Sequence, residues 1–193
     1  MSARVGILAL QGNVREHAAV LDGLGARVSL VRRAAQLGEI DALVLPGGES
    51  SAIDKLSRRL GLRDPLIAAI SAGMPTLGTC AGLIALADRL VDGIEGQQTL
   101  GGLDVAVRRN AFGRQGESFE TELEVPAFGA PPVPAAFIRA PVIEEIGRRA
   151  TALAQLPDGR VVAAEQGAVI GVAFHPEQSG ETRFHERLLA SVS

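Results

Sequence analysis

The chain contains a single cysteine, Cys80, in Leu77-Gly78-Thr79-Cys80-Ala81-Gly82, between two apolar runs. By default a lone cysteine is a small buried hydrophobe. Its flanks here argue for more. A strand that feeds a helix through Gly-x-nucleophile-x-Gly is a nucleophile elbow, in which small neighbours let the backbone turn sharply and leave the reactive atom at the helix start. There the helix N–H groups and dipole favour a thiolate over a thiol.

A thiolate hydrolase also needs a base that takes and returns a proton, and a group that orients the base. The apolar run Val169-Ile170-Gly171-Val172-Ala173-Phe174 ends in His175-Pro176-Glu177. The imidazole is a base. The carboxylate beyond the proline, which keeps the backbone extended or turned, is an orienting group. Singly, His175 reads as a strand-end histidine and Glu177 as a solvated carboxylate. With the elbow cysteine, the three read as a triad. A third apolar run, Asp41-Ala42-Leu43-Val44-Leu45, leads into Pro46-Gly47-Gly48-Glu49-Ser50. Adjacent glycines let the backbone approach a ligand and turn its N–H groups inward. The Gly48 N–H is one candidate donor to the oxyanion of a tetrahedral intermediate. The Ala81 N–H, next after the nucleophile, is a second. A Gly-Gly pair by itself is an ordinary turn.

Three segments far apart in sequence must be carried to one cleft. The first half of the chain alternates strand and helix patterns. Residues 5–10 read as a buried strand. Asn13 and Glu16 have capping-box spacing for a helix to about residue 24. Strands follow at 27–31 and 42–45, and a helix starts at Ser50 or Ser51 and runs toward Leu60. Asp64-Pro65 reads as an N-cap and first-turn proline of a helix that stops near Gly73. Residues 75–79 form the strand before the elbow and 81–90 the helix after it. This rhythm predicts an α/β fold: a mostly parallel central sheet covered by helices on both faces, with ligands beyond the strand C-terminal ends. From about Gly93 the pattern changes. Leu103-Val105-Val107 and Phe119-Thr121-Leu123-Val125 alternate, as added antiparallel strands do. Residues 127–134 read as a loop, and 151–156 with 160–164 as a hairpin through Pro157-Asp158-Gly159. A strand at 169–174 and a helix over 181–192 close the chain. With no repeat or linker, residues 1–193 read as one domain.

Composition excludes several function classes. Tyr and Trp are absent, which removes the usual stacking platform for single-stranded nucleic acid. The net charge of −3 comes with no basic block, so no nucleic-acid partner is expected. No run reaches membrane-spanning length, and the N-terminus lacks a secretory pattern. One free thiol suits a reducing, cytoplasmic setting. One cysteine and three histidines without His-x-x-x-His spacing make a metal site unexpected. His17 and His185 fall in helix patterns among charged neighbours and read as surface or helix-packing residues.

The Pro-Gly-Gly-Glu-Ser, Gly-Thr-Cys-Ala-Gly and His-Pro-Glu segments, in this order, resemble the class I, triad-type glutamine amidotransferases. Residues 6–17, beginning Gly6-Ile7-Leu8-Ala9-Leu10-Gln11-Gly12-Asn13, resemble more narrowly the glutaminase subunits of pyridoxal 5'-phosphate synthases. So do Arg108-Arg109-Asn110-Ala111-Phe112-Gly113-Arg114-Gln115, Phe137-Ile138-Arg139-Ala140-Pro141 and residues 161–167. Ala111 and Ala173 stand where that family often has serine. The resemblance implies hydrolysis of L-glutamine without metal or organic cofactor. It also implies ammonia delivery to a synthase subunit in a large hetero-oligomer. It implies a glutamine pocket from Gly47, Gly48, Glu49, Ser50, Arg109, Ile138 and Arg139. A partner subunit would meet the cleft rim at Gln11, Gly12 and Asn13, one strand end from the Gly47-Gly48 loop. Two alternatives stay open: a glutaminase serving another acceptor synthase, and a thiol-dependent protective protein of related fold.

Overall fold

The computed structural model describes residues 2–111 and 118–192. Phe112 to Gln115 of the family-like segment lie outside the described residues. The chain runs β1 (Arg4–Leu8), α1 (Val14–Gly23), β2 (Arg27–Val31), a 3-10 helix (Ala34–Glu39), β3 (Ala42–Leu45), α2 (Ser50–Arg59), α3 (Arg63–Ser71), β4 (Thr76–Thr79), α4 (Ala81–Leu86) and β5 (Ala87–Val91). It continues through β6 (Leu103–Arg108), β7 (Phe119–Leu123), β8 (Val133–Phe137), β9 (Val142–Ile146), β10 (Thr151–Gln155), β11 (Val161–Gln166), β12 (Val169–Val172) and α5 (Arg183–Ala190).

The main sheet has the order β2-β1-β3-β4-β12-β11-β9-β6-β5, with β10 on β11, and β7 and β8 form a separate antiparallel ribbon. From β2 to β12 every pairing is parallel. The β12–β11, β11–β9 and β9–β6 pairings are antiparallel, and β6–β5 is parallel again. The strands β3 (Ala-Leu-Val-Leu) and β12 (Val-Ile-Gly-Val) are buried at every position. Such strands need cover on both faces. Side chains alternate across a strand. A Cβ added to Gly78 of β4 would meet the Gly82 backbone of α4 at 2.6 Å, whereas the side chain of Thr79, next along β4, meets His17 of α1. The two helices therefore cover opposite faces, and α5 joins α1 through His185.

Several element readings are corrected. The helix after the elbow ends at Leu86, because the Ala85 carbonyl accepts the Leu100 N–H at 2.7 Å. Residues 87–91 instead pair with β6, Leu90 opposite Val107, which satisfies their backbone on the sheet edge. Thus β6 has a parallel neighbour as well as an antiparallel one. The loop expected over 127–134 gives way to β8 at Val133. Pro134 is tolerated because, among the described strands, β8 pairs with β7 alone, so its other side needs no ladder N–H from Pro134. Strand β9 is an addition to the expected elements. The Asn13 side chain does not cap α1. The helix expected to start at Asp64 begins at Arg63 with Leu62 at the cap position and no side-chain cap bond.

The strand before the triad histidine is anchored by phenylalanines. Phe174 packs on Phe137 (ring centroids 5.5 Å apart) and on Phe184 of α5 (5.4 Å), and all three are fully buried. Phe119 stacks on Phe137, and Phe128 meets Phe184 edge-on, each at 4.8 Å. Such rings add directional packing to their large buried area.

Candidate active site

The parallel register brings the strand ends level. Thr79 of β4 lies opposite Val172 of β12, and Gly78 opposite Leu45 of β3. Cys80 follows Thr79 directly, and its N–H donates to the Val172 carbonyl at 2.8 Å. Its backbone then turns through φ 49°, ψ −101°, outside the ordinary regions for a residue with a side chain, and α4 begins at Ala81. Strain of this kind costs about 1–3 kcal/mol and persists where neighbours over-determine it. Both elbow glycines are required by space. Gly82 sits on the Leu45 carbonyl with no room for a Cβ, and Gly78 sits on Gly82. Gly47 likewise lies against the His175 ring and Cys80.

His175 is reached from β12 and tied down by its N–H to the Ala136 carbonyl of β8 at 3.2 Å. Its Nδ1–H donates to Glu177 Oε1 at 2.8 Å, which leaves Nε2 for the hydrogen bond with Cys80. Asn13 Nδ2 is 3.0 Å from the same Glu177 oxygen and 3.2 Å from His175 Nδ1. Because Nδ1 carries the proton, the second approach sets donor against donor, and the Asn13 bond belongs to Glu177. This charged acceptor is why Asn13 forgoes its cap. Burial opposes charge on His175, but the bonds and charges of Cys80 and Glu177 outweigh it and push the imidazole up to about 10. For Glu177, burial is outweighed by the bond from His175, by His17 and His175 nearby, and by the bond from Asn13, and the carboxyl is held down at about 2. The favoured state is a buried carboxylate–imidazolium pair facing Cys80.

His17 and His185 are fully buried, so a surface role is excluded for both. Burial lowers His17, with the Glu177 charge working against it and that of His175 adding to it. Burial, with His17 beside it, pushes His185 down to about 3. Both are neutral at ordinary pH.

The candidate oxyanion loop is held from β1. The Gly47 carbonyl accepts the Asn13 N–H at 3.1 Å, so the Gly48 N–H, across the same planar peptide, points the opposite way. Gln11 Oε1 accepts the Glu49 N–H at 2.7 Å, and Gly12 packs on Gly47 with no space for a side chain. Gln11 and Asn13 are therefore bonded into the site, and Gly12 is packed against its loop. Glu49 caps α2, taking the Ser51 N–H, and accepts from Arg109 Nη2 at 2.9 Å. Arg109 Nη1 donates to Gln97 Oε1, and Gln97 Nε2 to Ser50 Oγ. This ring edges a cleft of about 280 Å³ that Cys80, His175, Gly48, Ile138 and Arg139 also line. Ala81 is buried at the first position of α4. Among the described residues, four other than glycine have positive φ, and three of them, Cys80, Asn110 and Arg139, line this cleft. A roomier groove of about 950 Å³ beside β7 and β8 is lined by carboxylates and hydroxyls, among them Glu120, Glu122 and Ser179, but by no cysteine or histidine. No group of three metal-binding side chains occurs among the described residues. Sequence reading missed Gln97, whose only signal is its polarity before β6. It also missed the triad contacts of Asn13 and His17; His17 lies one helical turn before the apolar Leu21, both buried.

The fold that sets a strained cysteine at one parallel strand end against an imidazole and carboxylate at the next is similar to known ones. The structure matches one described as "Crystal structure of glutamine amidotransferase" with TM-score 0.90 and 43% identity, over 97% of this chain and 98% of that one. The crystal structure of another glutamine amidotransferase, from Thermotoga maritima, is 15% identical with TM-score 0.63 over 100% of this chain and 91% of that one, and shares the fold. The class is that of the glutamine amidotransferases. Within it, the chain belongs to the SNO glutamine amidotransferase family, which it matches over residues 7–193. A protein of Leifsonia xyli subsp. xyli, named pyridoxal 5'-phosphate synthase subunit PdxT, is 62% identical over 99% of this chain and 96% of its own. One of the same name from Acidothermus cellulolyticus is 52% identical over 98% of this chain and 94% of its own. Membership of this family sets aside the protective-protein alternative.

Proposed function

We propose that this chain is the glutaminase subunit of a pyridoxal 5'-phosphate synthase. It hydrolyses L-glutamine to L-glutamate and ammonia and passes the ammonia to a synthase subunit. The observation that carries this reading is the alignment of Cys80, His175 and Glu177 on adjacent strand ends in a chain 62% identical to a PdxT protein. The Cys80 thiolate attacks the side-chain amide carbon. The N–H groups of Gly48 and Ala81 hold the oxyanion. His175 gives its proton to the departing ammonia, leaving a γ-glutamyl thioester, and then takes a proton from the water that hydrolyses it. Glu177 keeps the ring oriented throughout. Glu49, Ser50, Arg109, Ile138 and Arg139, with Gly47 and Gly48, form the glutamine pocket, and Arg109 is the cation suited to the substrate carboxylate.

The synthase subunit docks at the rim around Gln11, Gly12 and Asn13. Their bonds to Glu49, Gly47 and Glu177 support this, since a partner pressing there acts on loop and triad together. The test uses purified chain with purified synthase subunit. Cys80→Ala abolishes glutamate release and glutamine-dependent synthesis but leaves synthesis from free ammonia intact. Normal glutamate release by that variant ends the reading.

A further inference from the structure

Two buried histidines stand beside Glu177, and no step of the hydrolysis uses them. His17 comes from α1 and His185 from α5. His17 Nδ1 and His185 Nε2 are 2.9 Å apart. His17 Nε2 lies 3.1 Å from Thr79 Oγ1 and 3.7 Å from Glu177 Oε2. Two atoms of this group are buried with no hydrogen-bond partner: Glu177 Oε2 and His185 Nδ1.

The orphan nitrogen fixes the tautomers. A buried N–H with no acceptor is rarer and costlier than an acceptor with an unused lone pair. His185 therefore leaves Nδ1 bare, carries its proton on Nε2 and donates to His17 Nδ1. His17 Nδ1 is then an acceptor, so its own proton sits on Nε2. That N–H points toward Thr79 Oγ1, with Glu177 Oε2 just beyond. The opposite tautomer would turn a lone pair on the carboxylate.

We propose that His17 is a positioning residue for the triad: its Nε2–H, held in place by the proton that His185 donates from behind, compensates the one Glu177 oxygen that neither His175 nor Asn13 uses. At 3.7 Å the contact is too long for a hydrogen bond. It acts as an oriented dipole, which counts for more in a dry interior than in water. The groups that act on His17 are Glu177, His175, Glu16 on its own helix, and His185. Glu177 is the negative one it faces in the interior. The dipole holds that carboxylate in place, and the carboxylate holds the charged His175 ring against Cys80. The inference rests on the triad reading above.

Cys80 is the sole thiol, so its alkylation by iodoacetamide reports the thiolate in the isolated chain without glutamine or partner. The rate falls on the acid side where the thiolate takes a proton, and a His175 imidazolium held against the sulfur delays that fall. In His17→Phe this acid limb moves to higher pH by about one unit, a tenfold lower rate at a fixed pH within the limb. His17→Gln, whose amide N–H reaches the position of Nε2, restores most of the wild-type profile. His185→Phe moves the limb the same way by less, since only the backing proton is lost. A purely packing role for His17 would lower the melting temperature and leave the limb in place. An unmoved limb in folded His17→Phe overturns the inference, as does His17→Gln behaving like His17→Phe. If His17→Phe does not fold, an unmoved limb in His185→Phe overturns it instead. Glu177→Gln separates the two levels: a limb that ignores it removes the triad reading as well, whereas one that responds to Glu177→Gln and not to His17→Phe removes only the role of His17.

Discussion

Glu177 accepts bonds from two strand-end loops at once, one from His175 and one from Asn13. Its removal leaves the nucleophile and the base in place, so the triad members are unequal. Glu177→Ala retains more glutamate release than His175→Ala. In a comparable serine triad, loss of the carboxylate alone costs roughly a hundredfold less than loss of the base. The same ranking is expected here, and kcat measurements on the partnered variants check it. A silent Glu177→Ala would hand the orienting role to another group. Histidine burial has its own signature. His185 titrates near 3 when folded against an ordinary 6.5, so the folded form binds fewer protons than the unfolded chain between those values. Its contribution is present above 6.5 and is lost as the pH falls toward 3. Denaturant unfolding of wild type and His185→Phe therefore gives a stability gap that narrows as the pH drops through that window. Much of this was legible in the sequence, because Cys80, Gly48 and His175 each follow an apolar strand run. His17 was not, because Arg15 and Glu16 beside it mask a core-facing position. Asn13 read as a helix cap because spacing alone cannot say that a charged acceptor from residue 177 competes for it.

At the scale of elements, the site depends on how closely α4 lies on β4. Gly78 and Gly82 meet with no space for a Cβ, so Gly82→Ala pushes the helix off Leu45 and displaces the Cys80 turn. Thermal melts and alkylation of Cys80 should both register it, as a lower melting temperature and a slower reaction. The phenylalanine row bears on the other half of the site. Phe174 immediately precedes His175 and is fully buried between Phe137 and Phe184. Phe174→Ala should cost about 3–5 kcal/mol in denaturant unfolding. Here the sequence was a mixed guide. Strands β2 and β3 were read to the residue, because apolar runs between turn signals leave little choice. Residues 87–91 misled, because Ala-Asp-Arg-Leu-Val suits a helix end as well as an edge strand. Pairing with β6, far along the chain, decides it.

The whole molecule holds its proposed glutamine pocket and its proposed docking rim on one set of bonds. Gln11→Ala frees the Glu49 N–H and loosens the loop that carries the Gly48 donor. Partner-dependent activation should fall while the far-UV circular dichroism stays unchanged. Full activity of the isolated wild-type chain, without its partner, would show that the rim carries no switch. The strained turn at Cys80 has a consequence at the scale of the cell. Replacing Cys80 with glycine, which accepts φ 49° freely, relieves backbone strain that Cys80→Ala would retain. The glycine variant should melt several degrees above the alanine one, since about 1 kcal/mol moves the midpoint of a chain this size by roughly 2–4 °C. A change that removes the nucleophile can thus also relieve the turn that held it. In a cell expressing both forms, a folded inert chain would keep its intact rim and compete for the proposed synthase partner. A loss of function would then behave as a dominant poison.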